Sequence, residues 1–155
     1  MKAALLYLES SKEPWSQEVL ETYSTKISRF CEFDVIKIKS PSLSRENALQ
    51  KINEETKLIL SKLKPDDFLI LLDEKGKAHE SMGFAKFMAN QEQLPKRSVF
   101  LIGGAFGVSD EIKKRANATI SLSSLVMNHH VALTVLLEQI YRAFTILKKI
   151  PYHNQ

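Results

Sequence analysis

Short apolar runs recur along this chain, and between them the apolar residues fall at helical spacing. This alternation limits the possible folds more than any other feature. A continuous apolar run suits a strand buried on both faces of a parallel sheet, and an amphipathic stretch between two runs suits the crossover helix joining them. Runs at 3–8, 33–39, 68–73, 98–102 and 118–122 read as strands. Residues 14–30, 81–91, 110–116 and 130–148 read as helices, with Pro14 in a first turn and Pro151 after the last. Ser42 or Ser44 caps a further helix that runs to Leu63, with Ala48, Leu49, Ile52, Leu58, Ile59 and Leu63 as its apolar stripe. Lys75-Gly76-Lys77 reads as a turn, and Ser81 as the cap of the next helix. The order predicts an α/β domain over 1–155: a mostly parallel sheet flanked by helices on both faces.

Composition narrows the classes. At 155 residues, 44% of them hydrophobic, the chain fits one domain with a real core. Its single cysteine, Cys31, excludes an internal disulfide framework and a cysteine-based zinc cluster, and fits a reducing compartment such as the cytoplasm. Cys31 itself reads as an inert buried residue. No apolar run approaches the roughly 20 residues that span a bilayer. The apolar opening stretch meets Glu9 too soon for a signal peptide and reads as a strand. Net charge is +4, unevenly spread: residues 96–155 hold eight Lys/Arg against three acids, +5, which leaves −1 for the first 95. An anionic partner prefers the C-terminal part.

Ligands of parallel sheets bind beyond the carboxyl ends of the strands. The loops there are 73–79, 103–109 and 122–129. Gly103-Gly104-Ala105-Phe106-Gly107 lets a ligand approach the backbone, yet lacks both the dinucleotide Gly-x-Gly-x-x-Gly spacing and the P-loop Gly-Lys-Ser/Thr. A tight strand-to-helix turn explains it as well. The Ser-rich stretch from Ser121 to His129 can close over a flat ligand or simply cap a helix. His129 and His130, adjacent on an extended segment, point apart with no carboxylate beside them, so no metal site is expected. Near the end, Arg142 can bind phosphate, Tyr152 can stack on a base, and His153 can move or bond a proton. The last helix has more apolar positions than one stripe requires. Its second side is either a two-fold subunit interface or sunk in the chain's own core.

In this order and spacing, Leu101-Ile102-Gly103-Gly104-Ala105-Phe106-Gly107, Ser121-Leu122-Ser123, His129, Leu137-Glu138-Gln139-Ile140-Tyr141-Arg142-Ala143-Phe144 and Pro151-Tyr152-His153 resemble the RlmH family. These are small SPOUT-class methyltransferases, the ribosomal RNA large subunit methyltransferases H, and the resemblance extends over essentially the whole chain. It implies a homodimer with a C-terminal trefoil knot and S-adenosyl-L-methionine as cofactor. It implies methyl transfer to the ring nitrogen N3 of a pseudouridine in 23S rRNA within the assembled ribosome. By position, Leu72, Gly103, Leu122, Ser123, Ser124, Leu125, Val126 and Met127 would contact the cofactor, with Gly104 and Gly107 shaping the pocket. His129, Arg142, Tyr152 and His153 would serve the RNA side, some reaching across the dimer. No membrane or metal enters.

The chain departs from the family at three places. Leu125-Val126-Met127-Asn128 replaces the usual Met-Thr before the loop histidine, often followed by Pro. Leu133 stands where an arginine is usual, and Leu8-Glu9-Ser10 replaces Gly-Lys after the first strand. Two other classes fit parts of the sequence: a non-catalytic ribosome- or RNA-binding protein keeping the fold, and a generic nucleotide-binding module.

Overall fold

β1 (Lys2–Glu9) shows how the alternation becomes structure. Ala3 through Leu8 are each at most 3% exposed. Ala3, Leu5 and Tyr7 enter one core layer, Ala4, Leu6 and Leu8 the other, as a period of two dictates. The computed structural model describes residues 1–42 and 45–154. After β1 come α1 (Pro14–Ile27), β2 (Glu32–Lys39), a 3-10 turn at Arg45–Asn47, α2 (Ala48–Lys62) and β3 (Phe68–Ala78). Then follow α3 (Ser81–Glu92), β4 (Ser98–Ile102), α4 (Asp110–Arg115), β5 (Ala118–Ser121) and α5 (His129–Leu147). The five strands pair in parallel in the order β2-β1-β4-β3-β5.

One core layer joins the sheet to α1, α3 and α5; the other joins it to α2 and α4. The chain leaving β4 therefore turns to one face, and the chains leaving β1 and β3, its two neighbours, turn to the other. Diverging connections open a crevice at the carboxyl ends of the strands. At the opposite edge, Arg97 donates to Asp67 through Nε (3.0 Å) and Nη2 (2.6 Å), and the backbone N–H of Lys64 donates to the same carboxylate at 2.7 Å.

Four expectations need correction. The stripe of α2 is not the one the apolar residues suggest: Leu49 is 73% and Leu58 38% exposed, while Lys51, Glu55, Thr56 and Ile59 are buried. The inward face meets the glycine-rich turn after β4 as well as the sheet, and Lys51, Glu55 and Thr56 fill the space against that turn. Ser42 does not cap α2, whose N-cap residue is Asn47 at the end of the 3-10 turn; Ser44 lies outside the described residues. Lys75-Gly76-Lys77 is not a free turn but part of β3. The ladder to β5 breaks after Leu72 and resumes at Lys77, both opposite Ile120, so 73–76 bulge over the strand end. Ser81 does not cap α3: Glu80 is the N-cap residue, and the Ser81 hydroxyl donates to Gln139 Oε1 at 2.9 Å, tying α3 to α5.

α5 packs against both α1 and α3, with Phe30 of the α1 end stacked on Phe144 at 5.3 Å. Much of its surplus apolar surface is thus covered inside the chain, and Leu133 is 1% exposed. By length and composition alone (19 residues, with mean hydropathy 1.2 over an 18-residue window) α5 is also apolar enough to cross a bilayer, but 44% of that window is buried inside the protein. The apolar side chains left outside near its start are Leu125, Val126 and Val131, at 74%, 82% and 42% exposure.

Candidate functional site

The turn after β4 is built on its glycines. Gly107 has φ of +80°, a conformation that a side chain disfavours, and its N–H donates back to the Gly104 carbonyl at 3.1 Å. Gly104 lies against the Glu55 carboxylate of α2; a Cβ there would stand 2.8 Å from Oε1. Ser109 then caps α4, accepting from the Ile112 N–H. The turn after β5 is held by its serines. The Ser121 hydroxyl donates to the Ser123 carbonyl (2.9 Å), and Ser123 Oγ accepts from the Leu125 N–H (3.0 Å). Asn128 caps α5 by accepting from the His130 N–H.

These two turns and the bulge of β3 surround one cavity of about 720 Å³, large enough for a nucleoside-sized ligand. Leu72, Gly103, Gly104, Gly107, Leu122, Ser123, Leu125, Val126, Met127 and His129 line it. Ser124, in the same loop, does not, and is exposed. Asp73, Glu74, Lys75, Phe106 and Lys113 also line it; the first four lie in the strand-end loops the sequence pointed to, without a role assigned to them, and Lys113 lies outside those loops. The bulge that brings in Asp73–Lys75 has no signature beyond the charges after an apolar run. Lys113 had one: it begins the basic end of a short helix that follows the glycine turn.

The paired histidines do not lie on extended chain. They open α5, with ring centroids 4.0 Å apart. His130 is 2% exposed and bridges to α1: Nδ1 is 2.8 Å from Ser16 Oγ, and Nε2 is 3.4 Å from Ser11 Oγ. It is a structural histidine. His129 reaches the cavity, and its Nε2 is buried without a partner among the described residues. Burial, then the neighbouring His130, lowers its pKa, with Glu9 opposing, so it is a neutral imidazole at pH 7. Among the described residues no three His, Cys, Asp or Glu side chains converge as a metal site would require.

Arg142, Tyr152 and His153 form a second cluster around Glu138. Arg142 donates to Glu138 Oε1 through Nε (3.0 Å) and Nη2 (2.6 Å), and the Tyr152 hydroxyl donates to the same oxygen at 2.9 Å. Tyr152 lies under the Arg142 guanidinium (4.8 Å) and edge-on to Tyr141 (4.9 Å). Burial, with the Glu138 and Tyr23 hydrogen bonds, raises the Tyr152 pKa, so the phenol stays protonated. Arg142 Nη1 stands 3.0 Å from His153 Nδ1. A guanidinium can only donate, so Nδ1 accepts and neutral His153 carries its proton on Nε2. That Nε2 is buried and has no partner among the described residues.

Thus His129 and the 122–127 residues other than Ser124 meet the glycine turn, whereas Arg142, Tyr152 and His153 meet one another elsewhere. Thirteen residues of α5 separate His129 from Arg142, which is ~20 Å of helix.

Comparison with known proteins agrees across the chain. A family model described as predicted SPOUT methyltransferase matches residues 1–153. The ribosomal RNA large subunit methyltransferase H of Bdellovibrio bacteriovorus is 50% identical, with 99% of each chain covered. That of Maridesulfovibrio salexigens is 36% identical over 99% of this chain and 98% of its own. Among solved structures, a probable methylase family protein from Haemophilus influenzae superposes with TM-score 0.53 at 12% identity, over 95% of this chain and 66% of that one.

Proposed function

The chain belongs to the SPOUT methyltransferases, and from that premise we propose that it transfers a methyl group from S-adenosyl-L-methionine to large-subunit ribosomal RNA. The observation that carries the reading is the convergence of the glycine turn and the 122–129 loop on one cavity at the ends of β4, β3 and β5. The cavity suits the cofactor chemically. Main-chain groups of Leu72, Gly103 and the 122–127 segment offer the donors and acceptors an adenosyl group needs, and Leu122, Leu125, Val126 and Met127 supply apolar contact. Bound there, the cofactor supplies a methyl already activated on a sulfonium.

The chain's own work is alignment, exclusion of water and management of the acceptor's proton. The acceptor in this reading is N3 of pseudouridine 1915 of 23S rRNA in the assembled ribosome. Losing its N3 proton, that ring gathers negative charge on its carbonyl oxygens. In this reading the His153 Nε2–H, which has no partner among the described residues, donates to such an oxygen when the RNA engages the tail, and Arg142 adds positive charge beside it. Because Nδ1 is occupied by Arg142, His153 acts as a donor rather than a base, and the proton leaves to water or the RNA. In this reading Tyr152 stacks on the ring.

Within one chain these residues lie too far from the cavity, so the reading includes a homodimer in which one copy's tail completes its partner's pocket. Exposed Leu125, Val126 and Val131 beside the cavity supply an apolar surface for that contact. The trefoil knot belongs to the same proposal, as does action in the cytoplasm, where ribosomes reside. The test is transfer of labelled methyl to ribosomes from cells lacking the modification. The reading expects one methyl per ribosome, on 23S rRNA. Cofactor or ribosome binding without transfer would point instead to a binding protein that keeps the fold.

A further inference from the structure

α2 hides Lys51, Glu55 and Thr56 while it exposes Leu49 and Leu58. Burying a carboxylate without full hydrogen bonding is unfavourable, so this inversion calls for a cause. The three polar side chains all face the turn after β4. Lys51 Nζ stands 5.4 Å over the Phe106 ring. The hydroxyls of Thr56 and Ser109 hydrogen-bond at 2.8 Å, and Ser109 caps α4. Between them, Glu55, 3% exposed, lies against Gly104 in the space a side chain there would fill. Its Oε2 accepts from the Ser40 hydroxyl at 3.2 Å; its Oε1 has no partner among the described residues.

We propose that Glu55 is a positioning residue for the methyl-donor pocket: held by Ser40, it braces the Gly103–Gly107 turn from behind and fixes the backbone that the donor meets. Glu55 is not itself on the cavity wall, so it acts only through the turn. The inference rests on reading that cavity as the S-adenosyl-L-methionine site. It requires Gly104 and Glu55 to be a matched pair, in which each one's size is set by the other.

The test is a double-mutant cycle on the full chain, read by calorimetric titration of S-adenosyl-L-methionine and by melting without it. Gly104→Ala drives a methyl into the carboxylate and is expected to weaken binding ~10-fold. Glu55→Ala removes the brace and weakens binding by a similar factor. The Glu55→Ala/Gly104→Ala pair is expected to recover affinity above either single variant, because the new methyl enters the vacated space. Glu55→Gln, which keeps the shape and the contact to Ser40, restores most of the binding. Affinities that simply multiply in the double variant, or a Glu55→Ala protein that binds like wild type, would overturn the brace. So would equal losses for Gln and Ala, or losses that only follow the melting temperature. If Glu55→Ala does not fold, the comparison of Glu55→Gln and Gly104→Ala with the pair still decides. A wild-type chain that binds no S-adenosyl-L-methionine refutes the pocket reading instead, and so separates the two failures.

Discussion

Glu138→Ala isolates the latch that holds the C-terminal tail. One carboxylate oxygen takes two bonds from Arg142 and one from Tyr152, and the other takes one from Gln139 Nε2 at 2.7 Å. Alanine strips all four. Glu138 and Arg142 keep 21% and 24% of their side-chain surface exposed, so water screens part of the loss. Because a single charge-assisted bond is worth 1.5–3 kcal/mol, a loss of about 2 kcal/mol for the screened group is a fair expectation. In a chain of this size that lowers the melting temperature by about 4–8 °C. Arg142 and Tyr152 then lose their common anchor, and His153 loses a fixed partner. Displacement of about 1 Å at a reacting group costs on the order of 100-fold in rate. Methyl transfer should fall by that order, while affinity for S-adenosyl-L-methionine, bound at the other end of α5, stays at the wild-type value. Thermal melting, calorimetry and labelled-methyl transfer read the three quantities. A variant with unchanged melting and full transfer would refute the latch, and one that lost cofactor affinity instead would refute the division into two sites.

Two further expectations concern the scaffold. Burial pushes the Asp67 carboxyl up, but Arg97 and the Lys64 N–H outweigh it and hold the pKa below the usual range. Its stabilisation is therefore present above the unfolded-state value and lost as pH falls through the folded one. Asp67→Ala should cost roughly 3 kcal/mol at pH 7, since it takes the carboxylate from Arg97 and leaves it the Lys62 carbonyl alone, and should flatten that part of the acid dependence in denaturant titrations. Burial also pushes the Cys31 thiol to about 11. At pH 7.5 a maleimide should label Cys31 only under unfolding conditions; rapid labelling of the native protein would contradict its packing.

Much of this molecule was legible in the sequence because strand burial leaves a direct mark. β4 has the predicted bounds, and β1, β2 and β5 differ by a residue at one end or both; β1 and β4 are short runs shielded on two faces, while β2 and β5, at the sheet edges, are marked by β-branched residues in short runs. The turns that wall the cavity were legible as glycines and serines at strand ends. Reading α2 by hydrophobicity alone failed, because its inner face packs on a glycine-rich turn contributed some fifty residues later, and no local pattern signals that. The extension of β3 through Gly76 failed similarly: its pairing with β5 is a tertiary fact. The C-terminal motifs were visible as residues, but the gap between them and the cavity was not, since it follows from their places on one straight helix. The arginine usual at position 133 is replaced by a buried leucine, so the side chain faces the core and not an RNA phosphate.

The account stands on the strand-end cavity as the seat of the methyl donor. Calorimetric titration of S-adenosyl-L-methionine into the wild-type chain, into Ser123→Trp and into His153→Ala tests it most directly. The prediction is saturable binding at one molecule per chain, abolished when the indole fills the cavity and retained when only the tail is altered. Binding that survives Ser123→Trp unchanged, or no binding to the wild-type chain, would contradict it.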